Sequence, residues 1–336
     1  MKNISFIYEI DCGGETNATE NILSELKKYH ELNIKEFKLQ TQKKTSLLPY
    51  FYWIIKSIFN SYIFIIRTGK ANGTIYTTTY TAAIAGLLTK LIRNNNVVIH
   101  YHGNRIPEFT TKPTQILKYL VVYSLHFLAF RLSDILIVPS SFSKKQLSKK
   151  NLLNKKTFTI PNGVDLDHFY RYSKPKIWET KNKYHLNRYK KIISNISRIV
   201  EKKGIIKLLH LLPLLQKKHD NLCLILAHPK IKTDSEKKYL QRVLSFIKKN
   251  DIKSVIFFED KNIADIYNLS NLVISFSQEE NFPLVLLESY ACKTKFVTSN
   301  EEIRQLQTDL YKTEYSRISW KHTAEKIYPL LINSLP

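Results

Sequence analysis

Cysteine is scarce and scattered: Cys12, Cys223 and Cys292 are the only three in 336 residues. An odd count, with no CxxC pair and no Cys/His cluster, excludes a disulfide framework and a zinc module. A reducing cytoplasm is the compartment this usage fits. Glycine is scarce as well, at 8 residues, which argues against long flexible linkers. Long apolar runs are absent. Residues 47–66 are interrupted by Lys56, Asn60 and Ser61, and residues 117–130 are too short and carry Lys118 and His126, so no transmembrane helix is expected. The opening MKNISFIYEIDCGG lacks the apolar core and small-residue cleavage site of a signal peptide and reads as a first strand. Acidic residues are the minority, 28 against 52 Lys plus Arg, leaving a net charge of +24. That excess draws anionic partners: phosphorylated substrates, an anionic membrane face, or nucleic acid. Nucleic acid rests on charge alone, because no aromatic-basic RNA motif and no DNA-binding module is present, and none is expected as a partner.

What the chain does have is alternation. Residues 4–10 form an apolar run ending at Asp11, followed by Gly13-Gly14 and then helical spacing through Ile22, Leu23 and Leu26. Strands are predicted at 74–79, 97–102, 134–138 and 157–160, with helices at 82–92, 116–132 and 142–149 between them. A second series follows Pro161-Asn162-Gly163. Its strands are predicted at 191–197, 222–227, 255–258, 272–275 and 295–298, and its helices at 205–217, 236–250, 263–268 and 283–292. Strands alternating with helices give parallel sheets covered on both faces. Two such series give two doubly wound α/β domains, whose ligands bind beyond the carboxyl ends of the strands. The aromatic and basic stretch KKTSLLPYFYWIIK fits a helix lying in a lipid headgroup layer, and a buried core helix equally well.

Four loops after strands hold residues able to carry chemistry. Glu280-Asn-Phe-Pro-Leu-Val-Leu-Leu-Glu288 runs from a strand end into a helix, with Phe282, Pro283 and Leu284 at its start. Pro283 suits a first helical turn. The two carboxylates lie about 8 Å apart along the axis at 1.5 Å per residue, a spacing for two hydroxyl-bearing parts of one extended ligand. The free N–H groups of that helix start suit a phosphate. Arg198 and Lys203 share the loop before the helix at 205, where a planar fork and a compact cation can converge on a diphosphate. Gly13-Gly14 allows backbone to approach a phosphate or sugar, and also suits an ordinary tight turn. His102, at a strand end before Gly103, competes with His100 as a site residue, and either could be structural. Asp165-Leu-Asp167 has the look of a metal-binding pair, but its place at a hinge reads as structural.

Together these segments resemble the family-4 retaining glycosyltransferases of GT-B fold. Glu280 to Glu288 is similar to that family's E-x7-E motif, and Ser197-Arg198 to Lys203-Gly204 to its G-R-L-x-x-x-K-G, with Ser197 in place of the first glycine. His102-Gly103 resembles its HG step, Pro161 to Asp165 its P-N-G-V-D, and Ser319-Trp320 with Ala324 and Tyr328 its terminal helix. The chain departs from the pattern at Leu226-Ala227-His228-Pro229, at Lys293 and Lys295, and in a short segment of about twenty residues before Ser319.

The resemblance implies two Rossmann-like domains facing a central cleft: 1–168 for the acceptor, 169–315 for the nucleotide-sugar donor, and 316–336 as a helix crossing back to the first domain. It implies a retaining enzyme that moves a hexose-type sugar from a nucleoside diphosphate sugar to an acceptor hydroxyl, in bacterial surface polysaccharide or glycolipid assembly, with no cofactor and no metal. Glu280, His102, Arg198 and Lys203 are its implied catalytic residues. Arg198, Lys203, Glu288, Phe282, Pro283, Leu284 and Gly14 are its implied donor-binding residues. The implied location is cytoplasmic, peripheral to the inner face of the plasma membrane, with a saccharide or lipid-linked acceptor. The short C-terminal domain leaves a catalytically silent GT-B scaffold or partner protein as the alternative.

Overall fold

A computed structural model gives the fold, and describes residues 1–10, 14–40, 47–103, 113–259, 261–278, 280 and 282–332. In chain order, the first series is β1 (Lys2–Ile10), α1 (Gly14–Leu26), β2 (Leu32–Gln40), α2 (Leu47–Thr68), β3 (Thr74–Thr77), α3 (Tyr80–Arg93), β4 (Asn96–His100), α4 (Pro113–Leu132), β5 (Ile135–Val138), α5 (Ser141–Lys149) and β6 (Thr157–Thr159). The second is α6 (Lys174–Lys183), β7 (Lys191–Ile196), α7 (Ile205–Lys218), β8 (Leu222–His228), α8 (Asp234–Lys249), β9 (Val255–Glu259), α9 (Ile263–Leu269), β10 (Leu272–Ser275), α10 (Leu284–Ala291), β11 (Lys295–Thr298) and α11 (Glu301–Tyr311). The helix α12 (Trp320–Ile332) closes the chain.

The chain divides into two units, Met1–Gly163 with Trp320–Pro336, and Val164–Ser319. The first break lies five residues before the expected boundary at 168, and α12 groups with the first unit. There Tyr328 stacks on Tyr29 with ring centroids 4.3 Å apart, and the Thr323 hydroxyl donates to the Pro161 carbonyl at 3.0 Å.

The first unit holds a six-stranded parallel sheet in the order β2-β1-β3-β4-β5-β6. Strand β2 was not expected from the sequence. It is an edge strand whose Lys35, Glu36 and Lys38 interrupt the apolar alternation, and such charges blunt an open edge. On one sheet face Ile54 and Ile65 of α2, Ala82 and Ala85 of α3, and Val122 and Phe130 of α4 pack into a single core with Ile75, Val97 and Leu136. Fully burying each such side chain contributes roughly 1.5–3 kcal/mol, which is what holds α2 in place as a helix. Among the described residues, no helix is long and apolar enough to cross a membrane.

The second unit holds a five-stranded parallel sheet in the order β11-β10-β7-β8-β9. Its register is regular: β7 matches β8 from Lys191↔Leu222 to Ile196↔Ala227. Helix α6 was also not anticipated. Its sequence KPKIWETKNK buries only Thr180, so it has no apolar stripe to read, and it is set by Ser173, whose hydroxyl accepts from the Lys176 N–H.

Candidate active site

Sheet order locates the crevices. In the second unit the chain runs outward from β7 through β8 to β9, then returns to place β10 on the other side of β7. The reversal lies between β7 and β10, where loops leave in opposite directions and a ligand can enter. The two strands pair only at Leu272↔Ile193 and Val273↔Ser194 before parting. The Asn195 side chain then bridges them, its amide donating to the Ile274 carbonyl at 2.8 Å, while the Ser197 hydroxyl donates to Asn195 Oδ1 at 2.8 Å. The loops that follow these two strands are the ones carrying Arg198, Lys203 and Glu280.

Those loops are fastened to each other. The Gln278 N–H donates to the Lys202 carbonyl at 3.0 Å. Gly204 takes φ +67°, and a Cβ there would lie 2.6 Å from the Phe276 carbonyl oxygen. Only glycine allows both the left-handed backbone and this approach. The result is an ion pair between the Lys203 ammonium and the Glu280 carboxylate, with side chains 20% and 19% exposed. Asn300 braces the same loop from the start of α11, its amide reaching the Gln278 carbonyl at 3.3 Å.

Arg198 sits at the base of this loop, with its carbonyl accepting from the Val200 N–H at 3.0 Å. Its charge is felt by Glu236, the third residue of α8. Burial pushes the Glu236 carboxyl up, but the Lys232 and Thr233 N–H groups, the Thr233 hydroxyl and the Arg198 charge together hold it below the usual range.

Two helix starts face this reversal. The N-cap residues of α7 and α10 are Gly204 and Pro283, and neither supplies a side-chain cap. Helices α6, α8 and α9 of the same unit are capped by Ser173, Thr233 and Asn262. At α10 the uncapped N–H groups carry the positive end of the helix dipole and are open to an anion, whereas the Ile205 and Ile206 N–H groups that open α7 meet the Tyr239 hydroxyl. Pro283 is the residue before the helix, with φ −73° and ψ 117°, rather than part of its first turn as the sequence suggested. It is buried, while Phe282 and Leu284 are half-buried against the core of the unit.

Glu288 lies one turn into α10 and is half-buried. The Tyr267 hydroxyl donates to its Oε2 at 2.5 Å. Burial lifts the Glu288 carboxyl to about 7, and the Tyr267 hydrogen bond works against that lift. Among the described residues, no hydrogen bond or ion pair joins Glu288 to the Lys203–Glu280 pair. Sequence spacing put both carboxylates near one ligand, but gave no sign of the Tyr267 partner.

The first unit has its own reversal, between β1 and β3. A pocket there is lined by Glu9, Glu15, Thr78, Tyr80, His102 and His126 among others. Gly14 opens α1 directly before Glu15, while Gly13 and Cys12 lie outside the described residues. The two histidines part company. His100 is fully buried, and its Nδ1 lies 2.6 Å from the Tyr76 hydroxyl. His102 stacks on it at 4.2 Å and lines the pocket, with neither ring nitrogen hydrogen-bonded among the described residues. Burial lowers the His102 imidazole to about 4, so it is neutral at pH 7. Asp165, of the apparent metal-binding pair, instead accepts the N–H groups of Asp167 and His168 at 3.0 and 3.2 Å and caps a turn.

Residues 41–168 match the family model described as Glycosyltransferase Family 4, and residues 176–316 that described as Glycosyl transferases group 1. The chain belongs to these glycosyltransferases. No curated protein matches its sequence. Among solved structures, this glycosyltransferase is similar to Anabaena HepE in complex with UDP and glucose, with a TM-score of 0.66, 17% identity and coverage of 98% of this chain and 95% of that one. It is also similar to sucrose-phosphate synthase from Thermosynechococcus elongatus, with a TM-score of 0.70, 16% identity, and 98% and 95% coverage. A glycosyltransferase from Rickettsia africae aligns at a TM-score of 0.64 and 16% identity over 99% and 95%. The fold of this glycosyltransferase is GT-B, an α/β architecture of two parallel-sheet halves.

Proposed function

We propose that the chain transfers a hexose-type sugar, with retention, from a UDP-sugar to an acceptor hydroxyl. The Lys203–Glu280 pair at the β7/β10 reversal carries this reading, supported by the UDP and glucose in the complex of the similar HepE. A half-buried ion pair contributes little net stability, because desolvation offsets the Coulomb gain. A function that uses both charges separately gives it a purpose. On donor binding Lys203 exchanges the carboxylate for the diphosphate, joined by Arg198 and the uncapped N–H groups of α10. Glu280, released, accepts hydrogen bonds from sugar hydroxyls, and Glu288 accepts from the ribose.

As the glycosidic bond breaks, negative charge grows on the departing phosphate. Cations and helix N–H groups already in place stabilise that charge without reorganisation. They supply what a metal supplies in other transferases, so no metal is needed. The departing phosphate takes the acceptor proton, and transfer occurs on the face it leaves. His102, neutral and with neither ring nitrogen bonded among the described residues, can hydrogen-bond a sugar hydroxyl that enters the first unit's pocket. The acceptor is a saccharide or glycolipid presented at the cytoplasmic face of a membrane, in surface polysaccharide or glycolipid assembly.

The test is turnover with UDP-, GDP- and ADP-sugars in chelator. Glu280→Gln lowers turnover at least about a hundredfold yet binds UDP as well as the parent does, because Lys203 loses its competitor. Near-normal turnover in Glu280→Gln and in Lys203→Ala refutes these roles.

A further inference from the structure

Helices α2, α3 and α4 share a peculiarity that sugar transfer does not explain. Their 22, 14 and 20 residues contain no Asp or Glu, while Lys56, Arg67, Lys90, Arg93, Lys118 and Arg131 are all cationic. From Phe37 to Ser133 the sequence has a single acidic residue, Glu108.

Each helix also leaves large apolar side chains in water. On α2 the exposed set is Leu48, Tyr52, Ile55 and Phe59, spaced by four, three and four residues, which is one stripe of a helix. On α3 it is Leu88, Leu91 and Ile92, with Leu91 86% exposed. On α4 it is Ile116, Leu117, Leu120, Leu128 and Leu132, which share one side of the helix. All three helices bury their other sides in the same core on one face of the six-stranded sheet, and α3 packs between α2 and α4. Their exposed stripes therefore point away from that sheet face together. A contiguous apolar face of this breadth on a soluble unit marks an interaction surface.

The charge selects the occupant. A second copy docking by two-fold symmetry would set this cationic face against itself. An anionic bilayer offers acyl chains for the stripes and phosphates for the cations that flank them, such as the exposed Lys56, Arg67 and Arg131. Since none of the helices can cross a membrane, they lie along it. We infer that the outer face of α2, α3 and α4 docks the first unit on an anionic lipid surface, with Leu48, Tyr52, Ile55, Phe59, Leu91 and Ile92 entering the headgroup layer. This identifies the surface behind the membrane-facing acceptor proposed above, but the docking itself stands without the transfer reaction.

The experiment is co-sedimentation of the full chain with phosphatidylcholine vesicles, with and without phosphatidylglycerol, at about 0.15 M salt. The wild type pellets with the phosphatidylglycerol vesicles and stays in solution with phosphatidylcholine alone. Ile55→Glu with Leu91→Glu lowers the partition coefficient at least about tenfold, while thermal melting and UDP binding stay at wild-type values. Leu214→Glu, at an exposed position on α7 of the second unit, changes nothing. Three results overturn the inference: no binding of the wild type at low salt, equal binding by the double variant, or a wild-type dimer that the double variant converts to monomer. A wild type that binds UDP but no vesicles would count against docking alone. Vesicle binding with no UDP binding would count against the transferase reading alone.

Discussion

The ammonium of Lys203 pairs with the carboxylate of Glu280 across 77 residues of sequence. The contact exists because parallel strands β7 and β10 are neighbours in the sheet and the loops leaving them are pinned by the Gln278–Lys202 backbone bond and the close packing of Gly204 on Phe276. A cation, a carboxylate and the uncapped start of α10 are thereby gathered at one sheet reversal.

Gly204→Ala tests the pinning. An alanine must hold φ +67° and place its Cβ against the Phe276 carbonyl. The expected cost is about 1–3 kcal/mol of stability, read from urea unfolding. UDP affinity should fall with it, read by titration, because relief of the clash moves Lys203. Unchanged stability and affinity would show that the loop contact is slack.

Glu288 predicts a pH dependence. Its carboxyl titrates near 7 in the fold against 4.5 when free. Between those values the folded state keeps a proton that the unfolded state has lost, so stability falls as pH rises from about 4.5 to 7 and levels off above. At 1.36 kcal/mol per unit the loss is at most about 3 kcal/mol. Glu288→Gln removes the ionisation and keeps an acceptor for Tyr267, so its stability relative to wild type should climb across that window. Urea midpoints at pH 5, 6 and 7 check this, and parallel profiles would contradict it.

The two histidines should separate cleanly. His100→Ala removes a buried ring and the Tyr76 hydrogen bond, and should cost about 2–4 kcal/mol. His102→Ala removes a ring whose nitrogens have no hydrogen-bond partner among the described residues, so stability should change by less than about 1 kcal/mol while turnover falls. Unfolding and activity measured on both variants decide it, and the reverse pattern would exchange their roles.

Much of the fold could be read from the chain because buried parallel strands are short apolar runs between helix signals. Strands β10 and β11 appeared at 272–275 and 295–298, as expected. Strand β2 and helix α6 did not, because an edge strand with Lys35 and Glu36 and a helix burying only Thr180 leave no hydrophobic pattern. At the site, Arg198, Lys203 and Glu280 were legible as loop residues after strands. The supports were not: Asn195 and Asn300 act through partners 79 and 22 residues away, and Tyr267 meets Glu288 across 21. Such contacts follow from strand order, which no local spacing encodes. The same holds for the face of α2, α3 and α4, where sequence suggested a lipid-seeking or a buried α2 and the packing buries one side of it in the core and leaves another exposed.

Calorimetric titration of UDP into wild type and Lys203→Ala, both in chelator, addresses the central claim most directly. A charge-assisted hydrogen bond to phosphate is worth about 1.5–3 kcal/mol. The wild type should therefore bind without metal, and the variant at least about tenfold more weakly. Equal affinity in the two proteins, or wild-type binding that chelator abolishes, would contradict the assignment of the Lys203–Glu280 pair to the donor diphosphate and its sugar.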